Sequence, residues 1–271
     1  MATTIENPPE KNPNQDPEED GLGGRQMSFF EHLEELRQRL LRSILALLIA
    51  TGFCFAMSDH IYAWLARPLT QTLHNLGLPE KLVYTNPIDP FNLYIKLSVF
   101  AGLFLASPYI LYQIWLFISP GLYRHEKRYI FPFVMLTSGL FIAGGLFAYE
   151  LAFPPALEFL VKFGHQFTPF ITIDQYLKLV TTIIVGVGLV FELPVVILLL
   201  SIFGIVTPRF LLRNVRYAVL VTAVMAAAIA PTPDLATVFL LWIPMVGLYI
   251  LSIGLSWLVY LKKKKRARKD A

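Results

Sequence analysis

The 271-residue chain is 55% hydrophobic and only 15% charged, against about 25% charged residues in an average soluble domain; this excludes an ordinary water-soluble domain and calls for a bilayer as solvent. The net charge of +4 and the pI near 9.1 do not signal nucleic acid, because the basic residues stand in short clusters beside long apolar blocks, the placement that orients a membrane protein. The single cysteine, Cys54, falls inside an apolar block and excludes a disulfide within the chain.

Residues 1–27 are rich in Pro, Asn, Glu and Asp and lack the basic and apolar regions of a secretory signal, so they read as a disordered cytoplasmic tail. Ser28 stands three residues before Glu31, the spacing of a capping box, and Phe29, Leu33, Leu36 and Leu40 then fall on one stripe. A short amphipathic helix at the membrane surface is expected there, feeding the first span.

A hydrocarbon core about 30 Å thick needs about 20 apolar helical residues. Six such blocks follow: Leu40 to Met57, Leu93 to Ile118, Ile130 to Phe153, Leu177 to Phe203, Tyr217 to Ala230 and Leu235 to Leu261. The fifth is short, about 21 Å at 1.5 Å per residue, and is expected to thin the bilayer around it. The chain thus divides into the tail, a six-span membrane domain over 28–261 and a basic tail over 262–271. Eighteen of its 23 lysines and arginines fall on the side that holds both termini, which predicts both ends in the cytoplasm. Pro108, Pro194 and Pro244 lie inside spans two, four and six, so kinks are expected at each. Gly139 with Ala143, and Thr182 with Gly186, have the spacing that lets two helices approach closely.

Five acidic or basic features carry chemical information. Glu35 precedes Arg39 by one helical turn and can pair with it, although periodicity alone equally allows a solubilising surface charge. Glu126 sits among Arg124, Lys127 and Arg128 in the second cytoplasmic loop, where it either neutralises its neighbours or waits for a cationic ligand. Glu192 lies inside span four, two residues before Pro194; a carboxyl group there costs several kcal/mol in lipid and reads as functional. Asp234, after Pro231-Thr232-Pro233, reads as the N-cap of span six. The five histidines share no ligand spacing, and neither a phosphate loop nor a catalytic constellation is present, so no metal, cofactor or enzymatic activity is expected.

Longer runs then carry a resemblance. His32 to Leu40 (HLEELRQRL), Ser107 to Ile118 (SPYILYQIWLFI), Pro120 to Arg128 (PGLYRHEKR), Phe191-Glu192-Leu193-Pro194 and Pro231-Thr232-Pro233-Asp234 resemble, in order and spacing, the TatC family, the multispanning subunit of the twin-arginine protein translocase. The resemblance implies an all-α, glove-shaped six-helix bundle with a concave face, in a bacterial plasma membrane or a thylakoid; no transit peptide is evident, which favours the bacterial membrane. It implies that Glu35 and Glu126 receive the paired arginines of signal peptides, with Arg37 and Phe117 in the same site. It further implies a concave-face role for Glu192 in contact with a partner helix, and places Pro68 and Asp234 at further motif positions. The implied partners are twin-arginine signal peptides, single-span TatA-like and TatB-like subunits and further copies of the chain, and the implied function is proton-gradient-driven export of folded proteins. The alternative from the residues is a proton-coupled transporter of a small solute using Glu192, but transporters show matched internal repeats and none is visible in this sequence.

Overall fold

The computed structural model describes residues 29–79, 81–118, 130–167 and 169–267. Glu126 and the rest of the Arg124 to Arg128 run lie outside them, as do Ser28 and the predicted tail over 1–27. Among the described residues the fold is helical, with one isolated bridge between Val83 and Thr172.

Ten α-helices follow in order: α1 (Phe29–Ala56), α2 (Ser58–Asn75), α3 (Asp89–Ile118), α4 (Ile130–Phe147), α5 (Phe153–Phe163), α6 (Ile173–Val190), α7 (Leu193–Ile202), α8 (Pro208–Arg213), α9 (Val215–Ile229) and α10 (Leu235–Ala267). A five-residue π-helix, Ala148–Ala152, joins α4 to α5. Pro154 and Pro155 follow it at once and have no N–H to offer one turn back, and the widened turn absorbs that loss of register. Among the described residues five stretches are long and apolar enough to cross a membrane: Phe30–Ala56, Asp89–Ile118, Phe131–Phe163, Ile173–Ile202 and Leu235–Leu261. The chain is therefore a multi-pass membrane protein. The expected fifth span is α9, a 15-residue helix, about 22 Å long at 1.5 Å per residue.

The expectation of a separate surface helix before span one is corrected. No glycine or proline interrupts Phe29 to Thr51, so the amphipathic stretch and the span are one helix, α1. Its faces are also reversed from a soluble helix: Leu33, Leu36 and Leu40 are exposed, while His32, Glu35 and Arg39 are half-buried toward α3. In a bilayer the apolar stripe meets lipid and the polar stripe meets protein.

Only one of the three expected proline kinks breaks its span. Phe191 and Glu192 separate α6 from α7 just ahead of Pro194, whereas Pro108 and Pro244 sit within unbroken helices. Pro108 cannot donate to the carbonyl of Phe104, and the Ser107 hydroxyl donates to it instead at 2.8 Å. Hydroxyl rescue of this kind lets an interior proline persist without a break.

α1 runs antiparallel to α3, since His32 meets Phe117, Arg39 meets Gln113 and Thr51 meets Gly102. Two buried clusters hold the bundle. One gathers Trp115, Phe133, Val134, Val195 and Leu198 where α3, α4 and α7 converge. The larger centres on Leu65, Leu97, Phe153, Val180 and Met245 and joins α2, α3, α5, α6 and α10. α4 and α6 come close at Gly144 and Gly188. A Cβ on Gly144 would lie 2.7 Å from the Phe191 ring and 3.0 Å from the Gly188 Cα. The close approach falls there and not at Gly139, where an added Cβ would meet nothing, because Phe191 wedges against Gly144 at the α6–α7 break.

Candidate functional site

The polar stripe of α1 and the last two turns of α3 build a compact site. His32, Glu35 and Arg39 stand at i, i+3 and i+7, one face of a helix, and Gln113 and Phe117 stand one turn apart on the facing helix. The His32 and Phe117 rings stack, with centroids 4.3 Å apart and planes 17° from parallel. At the other end of the stripe Arg39 Nη1 donates to Gln113 Oε1 at 3.4 Å, and Gln113 is buried. Glu35 lies between these contacts.

The surface-charge reading of Glu35 is overturned by its burial: its side chain is 18% exposed, and that of Arg39 17%. The spacing correctly forecasts their pairing. Arg39 Nε donates to Glu35 Oε1 at 3.0 Å, and Nη2 donates to the same oxygen. The second carboxylate oxygen, Oε2, is closed off from solvent and has no hydrogen-bond partner. His32 Nδ1 lies 4.0 Å from it. A half-used carboxylate in a sheltered position is costly unless something completes it. Beside it, Glu31, Glu34, Glu35, Gln38, Arg39 and Arg42 line a shallow groove of about 300 Å³.

The other expected site residues fall in different places. Arg37 points away from Glu35 and lies within 3.8 Å of Glu34, with 73% of its side chain exposed. Glu192 sits at the α6–α7 break, half-buried, and its Oε1 is shut from solvent without a hydrogen-bond partner. Asp234 caps α10 as the turn signal foretells, its Oδ2 accepting from the Thr237 N–H at 2.8 Å. Pro68 lies inside α2, far along the chain from Glu35, and frees the carbonyl of Trp64, to which the Tyr149 hydroxyl donates. The Tyr149 ring stacks on Trp64 at 3.9 Å, and Tyr176 donates to the Leu65 carbonyl at 2.6 Å. Pro68 thus creates the acceptor by which α2 is latched to the rest of the bundle.

Sequence reading alone missed His32 and Gln113. For His32 the signal was a polar stripe on a helix whose other residues are apolar; for Gln113 it was one amide in a long apolar block, since a lone amide there needs a partner.

Comparison with known proteins places this arrangement. Residues 31–244 match the family described as "Sec-independent protein translocase protein (TatC)". A protein of that name from Koribacter versatilis is 47% identical over 89% of this chain and 89% of its own length. Another from Aquifex aeolicus is 39% identical over 88% of this chain and 98% of its own. A crystal structure described as the twin-arginine translocase receptor TatC superposes with a TM-score of 0.70 at 38% identity, covering 85% of this chain and all of that one. With its family match extending over most of its length and its helices superposing on a solved relative, the chain belongs to the TatC family.

Proposed function

We propose that the chain is the signal-reading subunit of a twin-arginine translocase, a receptor and organiser with no chemistry of its own. The observation that carries this reading is the Glu35 carboxylate, tied through one oxygen and unpartnered at the other, beside His32, whose ring stacks on Phe117. A guanidinium fits such a place because it is planar, always charged and able to stack on an aromatic face while donating edge-on. An ammonium supplies a point charge without that fork. Glu126 follows Ile118 by eight residues and Ile118 adjoins Phe117, so the second acceptor is tethered to the same end of α3 and takes the second arginine. Arg37, exposed on the outer side of α1, lends positive potential that disfavours generally basic chains.

In this reading the end of the bundle holding Glu35 faces the cytoplasm of a bacterial plasma membrane, both termini lie on that side, and residues 1–27 and 262–271 are the tails. The lysine and arginine bias supports that orientation. Glu192, with an unpartnered oxygen at a helix break, offers a polar contact to the helix of a single-span TatA-like or TatB-like subunit. Copies of the chain assemble with these subunits, and the proton gradient acts on the whole complex to move folded cargo.

The test is binding of a synthetic peptide carrying two consecutive arginines before an apolar segment to the full chain in nanodiscs at fixed salt. Glu35→Ala and Glu126→Ala are each expected to cost about 1.5 kcal/mol or more, over tenfold in affinity, as charge-assisted bonds in a sheltered site require. Unchanged affinity in both variants would remove these glutamates from recognition.

A further inference from the structure

We infer that Arg39 and Gln113 are positioning residues that fix the Glu35 carboxylate so that a single oxygen is presented to the arginine of a signal peptide. This rests on the proposed role of Glu35 and names what makes that carboxylate selective. Arg39 spends two nitrogens, Nε and Nη2, on Glu35 Oε1, and its third, Nη1, on Gln113 Oε1 at 3.4 Å. Each of the three guanidinium nitrogens thus makes a contact. Gln113 is 3% exposed on α3, so it anchors the relay to a helix that does not move with α1 alone.

The consequence is geometric. A free carboxylate swivels and offers both oxygens to any cation, ammonium or guanidinium. Glu35 cannot, because Oε1 is held, and Oε2 is left unpartnered on the side of His32, which stacks on Phe117. Oε2 is itself covered, so an incoming cation reaches it only as the groups around it give way, and meets it on the side of His32. A flat guanidinium satisfies this with an edge donating to Oε2 and a face toward a ring. A tetrahedral ammonium gains the charge contact alone. Selectivity for arginine over lysine therefore depends on the orientation of Glu35 as well as on its charge. That orientation is set by Arg39 and Gln113.

The experiment measures affinity of the two-arginine peptide and of its two-lysine counterpart for the full chain in nanodiscs, in wild type, Gln113→Ala, Arg39→Lys, Glu35→Ala and Glu35→Ala combined with Gln113→Ala. Gln113→Ala is expected to weaken the two-arginine peptide about fivefold, the net scale of one long hydrogen bond, with the two-lysine peptide nearly unchanged. Arg39→Lys, which keeps the charge but loses the fork, is expected to narrow the arginine preference in the same way. In the Glu35→Ala background Gln113→Ala is expected to add nothing, because its effect passes through Glu35. Equal losses for both peptides, an additive double variant, or tighter two-arginine binding in Arg39→Lys would overturn the positioning role. If Glu35→Ala itself leaves the arginine preference intact, recognition by Glu35 fails first, which separates that failure from this one.

Discussion

The two ends of α2 and α1 handle polar groups in opposite ways. In α2 a proline strips the Trp64 carbonyl of its helical donor, and Tyr149 from the α4–α5 bend supplies another, so the local account closes. In α1 a carboxylate is half-satisfied by Arg39, and its other oxygen is sealed from water with nothing bound to it. The first uses a side chain from a distant part of the sequence; the second pairs residues one turn apart, with Gln113 of α3 holding Arg39. The first spends its polar groups on holding a helix in place, whereas the second keeps one in reserve. A completed pair stabilises; an incomplete one in a sheltered position is expected to bind.

That contrast predicts which substitutions damage the fold and which damage only recognition. The largest expected structural effect is at the α4–α6 crossing, where Gly144→Leu drives a side chain into Phe191 and the Gly188 backbone. It is expected to cost about 3 kcal/mol or more, read as loss of folded protein in detergent and a lowered unfolding midpoint. A variant as stable as wild type would show that this crossing can relax and is no fixed frame.

Tyr149→Phe comes next. It leaves the Trp64 carbonyl without its donor and is expected to cost about 1–3 kcal/mol, with little change in two-arginine affinity. Pro68→Ala restores the backbone donor, so the combined variant is expected to lose less than the sum of the two. Additive losses would mean that Tyr149 contributes through ring packing on Trp64 and not through the latch.

The smallest effect on stability is expected at the reserved groups. Glu192→Gln, which removes the titratable carboxyl at the α6–α7 break but keeps the shape, is expected to change unfolding by less than about 1 kcal/mol while weakening capture of a single-span partner helix in co-purification. Normal capture by both Glu192→Gln and Glu192→Ala would leave this residue without a partner role.

Several of these elements were legible in the sequence and others were not. Hydropathy finds the five long spans and the short α9, because burial in lipid is a property of composition. It cannot find α2, whose eighteen residues mix apolar and polar types and contain Pro68, a residue that reads as a breaker until the Tyr149 donor is seen. Pro108 misleads in the same way, since the rescue by Ser107 is visible only in three dimensions. At the candidate site the Glu35–Arg39 pair follows from helical spacing, and the resemblance points to Glu35 and Phe117. The sequence does not disclose that Gln113, 74 positions from Arg39, completes the relay, because nothing local links the two. Helix packing supplies that link through the antiparallel register of α1 and α3.

The central claim is that Glu35 is a receptor for guanidinium and not merely half of an internal ion pair. The most direct measurement is the ratio of affinities for two-arginine and two-lysine peptides in wild type and in Glu35→Gln, taken with the unfolding midpoint of each. Glu35→Gln is expected to collapse a ratio above about ten toward unity while shifting stability by no more than about 1 kcal/mol, because the Gln amide oxygen still accepts from Arg39. A wild-type ratio near one, or a ratio that survives in Glu35→Gln while stability falls sharply, would place Glu35 with Tyr149 among the groups that hold the fold together.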